Sequence, residues 1–149
     1  MINVVRRLWK TGRSKDIFRY RVSGFGIMGN FRELKVWKES MDLVELVYNL
    51  TKKKDFSRDF GLTNQIRRAV ISVPSNIAEG DQLATQKQSI QYFHIARASA
   101  AEVLTQIIIA MRLNYIRKEE SQIIEDKSEK IAKMLTKLIQ YRKQNEKKS

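Results

Sequence analysis

Ser72-Val73-Pro74-Ser75-Asn76-Ile77-Ala78-Glu79-Gly80 holds the only proline of the 149-residue chain. The stretch closes an apolar-periodic segment that begins at Gly61. A proline inside a helix removes one hydrogen bond and costs about 3 kcal/mol. The apolar spacing nevertheless runs through it, at Leu62, Ile66, Ala69, Val73 and Ile77. A helix that keeps its period across Pro74 must be held by packing on its neighbours, with Pro74 expected to kink it. Gly80 is expected to end it, supplying the left-handed position after the last turn.

Outward from this segment the same 3-4 spacing recurs. A first helix is expected over about 33–53. Leu34, Trp37, Met41, Val44 and Tyr48 form one stripe, and Val36, Leu43, Val47 and Leu50 an adjacent one. That apolar face is wider than a two-helix seam needs. A charged linker over 52–59 leads to the proline helix, about 62–79. A third and longest helix is expected over about 85–114. A fourth runs over about 118–143, with Ile124, Ile131, Leu135 and Leu138 inward. The spacing and short connections predict an all-α fold: an antiparallel up-down four-helix bundle over residues 30–149.

Residues 1–29 differ in kind. They carry seven cations and one acid, +6 of the chain's total of +13. Their aromatics, Trp9, Phe18, Tyr20 and Phe25, have no clear period, and the segment ends in the breakers Gly24, Gly26 and Gly29. Three readings stand. It is a basic arm that orders on nucleic acid, a transit-like or membrane-touching leader, or an over-long start before Met28.

Composition excludes several classes. The chain has no cysteine, which rules out disulfides and thiolate metal sites, and one histidine, His94. A histidine-built metal site or a Ser-His-Asp triad within one subunit is therefore not expected, nor is any cofactor. Asp42, Glu45, Glu79 and Glu102 do not make the Glu-x-x-His pairs of di-iron bundles. Gly24-Phe25-Gly26 stops short of a phosphate-cradling glycine loop. No run of about 18 apolar residues suggests a membrane span. The expectation is a non-enzymatic, cytoplasmic protein that does not enter a membrane.

The charge points to a polyanion. Residues 30–149 keep +7 of the +13. Candidate phosphate contacts are Lys52, Lys53, Lys54 and Arg58 in the first connection, Arg67 and Arg68 on the second helix, and Lys130, Lys133 and Lys137 on the last. Arg112, Arg117 and Lys118 surround the third connection. Phe56, Tyr115 and Tyr141 could offer stacking surfaces. The competing reading is a solvated lysine-rich face.

Four further features concern packing. The stripe Gln65, Arg68, Ser72, Ser75 and Glu79 is a polar face of the second helix. Arg97 falls on the apolar line Phe93, Ala100, Leu104, Ile107 and Met111, so a buried structural ion pair with Glu79 or Glu102 is expected. The small run Ala96, Ala98, Ser99, Ala100 and Ala101 suits close helix approach. Ile107-Ile108-Ile109-Ala110-Met111 is apolar all round, which predicts self-association.

Phe31-Arg-Glu-Leu-Lys-Val-Trp-Lys, Phe60-Gly-Leu-Thr-Asn-Gln-Ile-Arg-Arg-Ala, the proline stretch and Phe93-His-Ile-Ala-Arg-Ala-Ser-Ala-Ala-Glu occur in that order. Together they resemble the four-helix-bundle proteins encoded in intervening sequences of bacterial 23S rRNA genes. The resemblance covers about residues 31–140. It implies a bundle assembled as a homo-oligomer, commonly a five-fold ring, with no established enzymatic activity and with ribosomal RNA as partner. The family is also similar to the accessory variability proteins of diversity-generating retroelements. That likeness implies an alternative: a structural or adaptor oligomer with a protein partner such as a reverse transcriptase.

Overall fold

Asn30 opens a 3-10 turn, Phe31–Glu33, that swings into the first helix, α1, Lys35–Leu50. The computed structural model describes residues 30–83 and 85–146. The basic extension, with every expectation placed on it, lies outside them. After α1 come α2, Lys54–Arg58, and α3, Phe60–Gln82. Then follow α4, Gln86–Arg112, and α5, Lys118–Glu146. The described chain is all-helical, with no strand.

Local chemistry sets these boundaries. The Asp59 carboxylate accepts the Leu62 N–H at 2.9 Å and starts α3. The Thr85 hydroxyl accepts the Gln88 N–H at 3.3 Å and starts α4. Asn114 ends α4. It takes φ 60°, a left-handed value that asparagine tolerates, and the Tyr115 N–H then returns to the Ala110 carbonyl at 3.0 Å. At the start of α5, Glu120 reaches back to the Arg117 N–H at 3.0 Å, half of a capping box.

α3 packs on α4, α4 on α5, and α1 on both α3 and α5. The core line of α1 is Val36, Leu43 and Val47; that of α3 is Ile66, Ala69, Val70, Val73 and Ile77. α4 contributes Phe93, Ala96, Ala100, Val103, Ile107 and Ala110, and α5 contributes Ile124, Ile131, Leu135 and Ile139. α4 is long and apolar enough, by length and composition, to cross a membrane, against the expectation from run length. Its apolar line forms the middle of this core.

α3 passes through Pro74 without a break, and Pro74 is buried. Nearby side chains serve the backbone around it. Ser75 Oγ donates to the Ile71 carbonyl at 2.9 Å, and Asn76 Nδ2 to the Ser72 carbonyl at 2.8 Å. Ser99 Oγ on α4 donates to Ser72 Oγ at 2.9 Å. Much of the polar stripe of α3 is thus spent within the fold. Of the small run, Ala96, Ser99 and Ala100 are buried, while Ala98 and Ala101 face out.

Three expectations are corrected. Gly80 does not stop the helix: α3 continues to Gln82, and Gly80 is buried within it. The reason is close approach. A Cβ at Gly80 would lie 2.8 Å from Phe93 Cε1 and 3.0 Å from Tyr92 Cβ. The linker over 52–59 contains a helix, α2, because Phe56 must reach the core, where it is fully buried beside Tyr115. Arg97 has no carboxylate partner among the described residues. It is half-buried, donates to Thr136 Oγ1 at 3.2 Å and lies 3.3 Å from His94 Nδ1. Glu79 instead faces the Tyr92 hydroxyl and raises its pKa, and Glu102 accepts from Gln106 at 3.2 Å. Helical rotation explains the miss. The inward line runs through Ala96, not Arg97, so Arg97 sits at its edge.

The buried ion pair of this fold is Asp81–Arg142. Asp81 on α3 is 6% exposed, and its Oδ1 lies 2.8 Å from Arg142 Nη2 on α5. The guanidinium also lies over the Phe93 ring, 5.8 Å from its centroid.

Candidate nucleic-acid interface

The basic residues proposed from sequence fall in three places. The first is the end of the molecule where the α1–α2 and α4–α5 connections meet. Lys52, Lys53, Lys54, Arg58, Arg112, Arg117 and Lys118 belong to it, with the acids Asp55, Asp59, Glu119 and Glu120. Seven cations against four carboxylates leave +3. Tyr115 and Asn114 stand between two shallow clefts. One, of about 470 Å³, is lined by Lys53, Arg117 and Lys118 among others. The other, of about 560 Å³, is lined by Asp55, Arg58, Asp59 and Leu113 among others.

Some cations at this end are held within the protein. Lys53 donates to Glu120 Oε1, and Arg117 Nε lies 3.6 Å from Glu120 Oε2. The bond from Lys53, then the Arg117 N–H, holds the Glu120 carboxyl down at about 2. Arg58 sits 3.9 Å from Asp55, an exposed contact of little energetic weight. Lys52 reaches only the Asn49 amide oxygen, at 3.4 Å. Lys54, Arg112 and Lys118 are exposed and have no partner among the described residues. Tyr115 is half-buried; its hydroxyl donates to Asp59 Oδ2 at 3.2 Å. Burial, then Asp59, raises its phenol pKa, so it remains a neutral ring.

The second place is α3, where Arg67 and Arg68 diverge. Arg67 turns to α1: Nε donates to Thr51 Oγ1 at 2.9 Å, and the guanidinium lies 4.9 Å from the Tyr48 ring centroid. Arg68 is exposed and has no partner among the described residues. The third place is the outer face of α5, where Lys130, Lys133 and Lys137 line one shallow groove with Asp126 and Glu129. Lys130 binds Glu39 at 2.8 Å and Lys133 lies 3.5 Å from Glu129, while Lys137 has no carboxylate partner among the described residues. Lys127, which the sequence does not single out, bridges Glu39 at 3.0 Å and Asp42 at 3.1 Å. Lys130, then Lys127, lowers the Glu39 pKa by hydrogen bonding. These pairs tie α5 to α1.

No group of three or more His, Cys, Asp or Glu among the described residues is disposed to hold a metal. An apolar groove of about 320 Å³ runs between α1 and α3, lined by Phe31, Trp37, Met41, Val44, Ile71 and Pro74 among others. Trp37, Met41 and Val44 of the outer apolar stripe of α1 form one wall of it. Ile95, Ile109 and Leu113 are exposed along α4 and just beyond its end; within the all-round apolar run Ile107 and Ala110 are buried, Ile108 and Met111 half-buried and only Ile109 exposed.

The geometry is that of an all-helical protein with a basic end. The chain belongs to the 23S rRNA-intervening sequence protein family, whose pattern matches residues 32–137. It is similar to the crystal structure of a protein of unknown function from the S23 ribosomal protein family of Bacteroides thetaiotaomicron. Identity is 28% and the TM-score 0.66, covering 70% of this chain and 97% of that one. No curated protein matches the chain.

Proposed function

We propose that the chain is a non-catalytic RNA-binding protein that grips phosphates with its basic end. The observation that carries this is the surplus of cations around the α1–α2 and α4–α5 connections, with Lys54, Arg112 and Lys118 unpartnered among the described residues and Tyr115 beside them. Phosphate contacts give affinity without base readout. The family's name links it to 23S rRNA, which makes structured ribosomal RNA the first ligand to try. Phosphate binding releases counterions, so log affinity should fall linearly with log salt. A fluorescence-anisotropy titration against an rRNA fragment and an unrelated RNA, at two salt concentrations, should show binding to both at low salt. Binding to neither would remove RNA from the account and favour the adaptor reading, with a partner such as a reverse transcriptase.

The proposed arrangement is an antiparallel up-down four-helix bundle formed by α1, α3, α4 and α5, working as a ring of copies, with five favoured. The α1–α3 apolar groove and the exposed Ile95 and Ile109 of α4 support self-association. A ring would repeat the basic end around its axis and raise avidity. Light scattering at micromolar protein should give a mass of several 17.5 kDa chains. A stable single chain across that range would defeat the ring.

A further inference from the structure

Arg97 and Lys143 form a cationic cluster beside His94 on the α4–α5 face that the proposed RNA end does not use. Thr136 lies eighteen residues along α5 from Lys118, about 27 Å at helical rise. The Arg97 guanidinium is half-buried, yet it meets only neutral groups, Thr136 Oγ1 at 3.2 Å and His94 Nδ1 at 3.3 Å. The Thr136 hydroxyl spends its own proton on the Ala132 carbonyl at 2.9 Å, so it accepts from Arg97. A guanidinium has five N–H donors, and most of these remain unused.

The charged groups facing His94 are Arg97 on its own helix and Lys143 on α5, with no described carboxylate among them. Burial first, then these two cations, pushes the imidazole pKa below its ordinary value. A neutral ring that accepts from Arg97 at Nδ1 carries its proton on Nε2.

We propose that Arg97 and Lys143, beside His94, form a seat for a phosphate-type oxyanion, with Thr136 and His94 orienting the guanidinium. The planar guanidinium matches two phosphate oxygens, which neither Thr136 nor His94 can replace as a charged partner. Lys143 adds a mobile point charge. An arriving anion offsets the repulsion from Arg97 and Lys143 that adds to burial in lowering the His94 pKa, so the pKa rises as the anion binds, and a proton taken up at Nδ1 frees the Arg97 Nη2 donor for the anion. The seat does not rest on the proposed RNA end, because its residues lie apart from that end. The anion is either free phosphate or a phosphate of an RNA backbone.

The chain has one histidine, so its imidazole signal needs no assignment. The full chain, labelled with 13C-histidine, is titrated with pH by NMR in three solutions of equal ionic strength: chloride, inorganic phosphate, and chloride with a short single-stranded RNA. In phosphate the His94 pKa should rise by about half a unit or more over chloride. Arg97→Gln should abolish the rise while its circular-dichroism melt stays cooperative. Should that variant fail to fold, Lys143→Gln, at an exposed position, should reduce the rise instead. A rise with inorganic phosphate identifies a free-anion seat, and a rise with RNA alone identifies a backbone contact. No rise in either solution, or an undiminished rise in the variant that folds, overturns the proposal.

Discussion

Arg142→Ala is expected to cost about 3–5 kcal/mol, the largest loss from any single substitution outside the apolar core. Asp81 keeps only 3% of its side-chain surface exposed, and its Oδ2 already lacks a hydrogen-bond partner. Arg142 supplies its only described counter-charge, through Nη2 at 2.8 Å. Without the guanidinium a carboxylate stays stranded where α3, α4 and α5 meet. The substitution also removes the cation over Phe93 and the weak bond to Gln86 Oε1 at 3.4 Å. Asp81→Asn in the same background should recover much of the loss, because the stranded charge goes with it. Thermal melts of the single and double variants, at one protein concentration, check this. A melt of Arg142→Ala within error of the parent would mean that water reaches Asp81 and that the pair carries no burial penalty.

Gly80→Ala is expected to destabilise by about 1–3 kcal/mol, the range of overpacked cores. Helix propensity alone predicts the reverse, since alanine gains about 1 kcal/mol over glycine in a helix interior. Packing wins because the new methyl would sit 2.8 Å from Phe93 Cε1 and 3.0 Å from Tyr92 Cβ. The Phe93 ring is fully buried and has nowhere to turn, and Tyr92 Cβ is tied to the α4 backbone. Gly61→Ala is the internal control. Gly61 is exposed in the first turn of α3, and a Cβ there would meet only Asp59 Oδ1 at 3.5 Å. That variant should be neutral or gain a few tenths of a kcal/mol. Opposite signs at the two glycines are the expected outcome of a denaturant series. A stabilised Gly80→Ala would show that α3 and α4 can separate at no cost.

The helices are legible in the sequence wherever apolar residues repeat at three and four. Ile66, Ala69, Val73 and Ile77 are buried in α3, and Ile124, Ile131 and Leu135 in α5. What sequence cannot supply is contact between distant segments. A glycine late in a helical pattern reads equally as a C-terminal stop or a close approach. Only the return of Tyr92 and Phe93 against Gly80 decides between them. Arg97 shows the limit of a stripe. A helix turns 100° per residue, so a line drawn through Arg97 and Leu104 runs along the edge of the buried face. The true pair carries a signal of its own. Arg142 follows Leu135 and Ile139 at steps of four and three, on the inward line of α5. The candidate phosphate contacts cluster in sequence, and the fold disperses them. Arg67 and Arg68 are adjacent in the chain yet face different surroundings. Conversely, Arg112 and Lys118 join Lys53 and Lys54 at one end because the α4–α5 turn lies beside the α1–α2 connection.

The central claim is that this end holds RNA. Its most direct test compares Lys54→Ala/Arg112→Ala/Lys118→Ala with Lys130→Ala/Lys133→Ala/Lys137→Ala in a salt series of RNA-binding titrations. Each variant removes three positive charges, so a general loss of charge weakens both equally. The basic-end variant should lose affinity for all RNAs alike and flatten the log-log salt slope by about one unit per lost contact. The α5 variant should lose about two units at most, because Glu39 already holds Lys130 at 2.8 Å, whereas the exposed Lys133–Glu129 contact carries little weight. Equal losses in the two variants, or a greater loss in the α5 variant, would contradict the account.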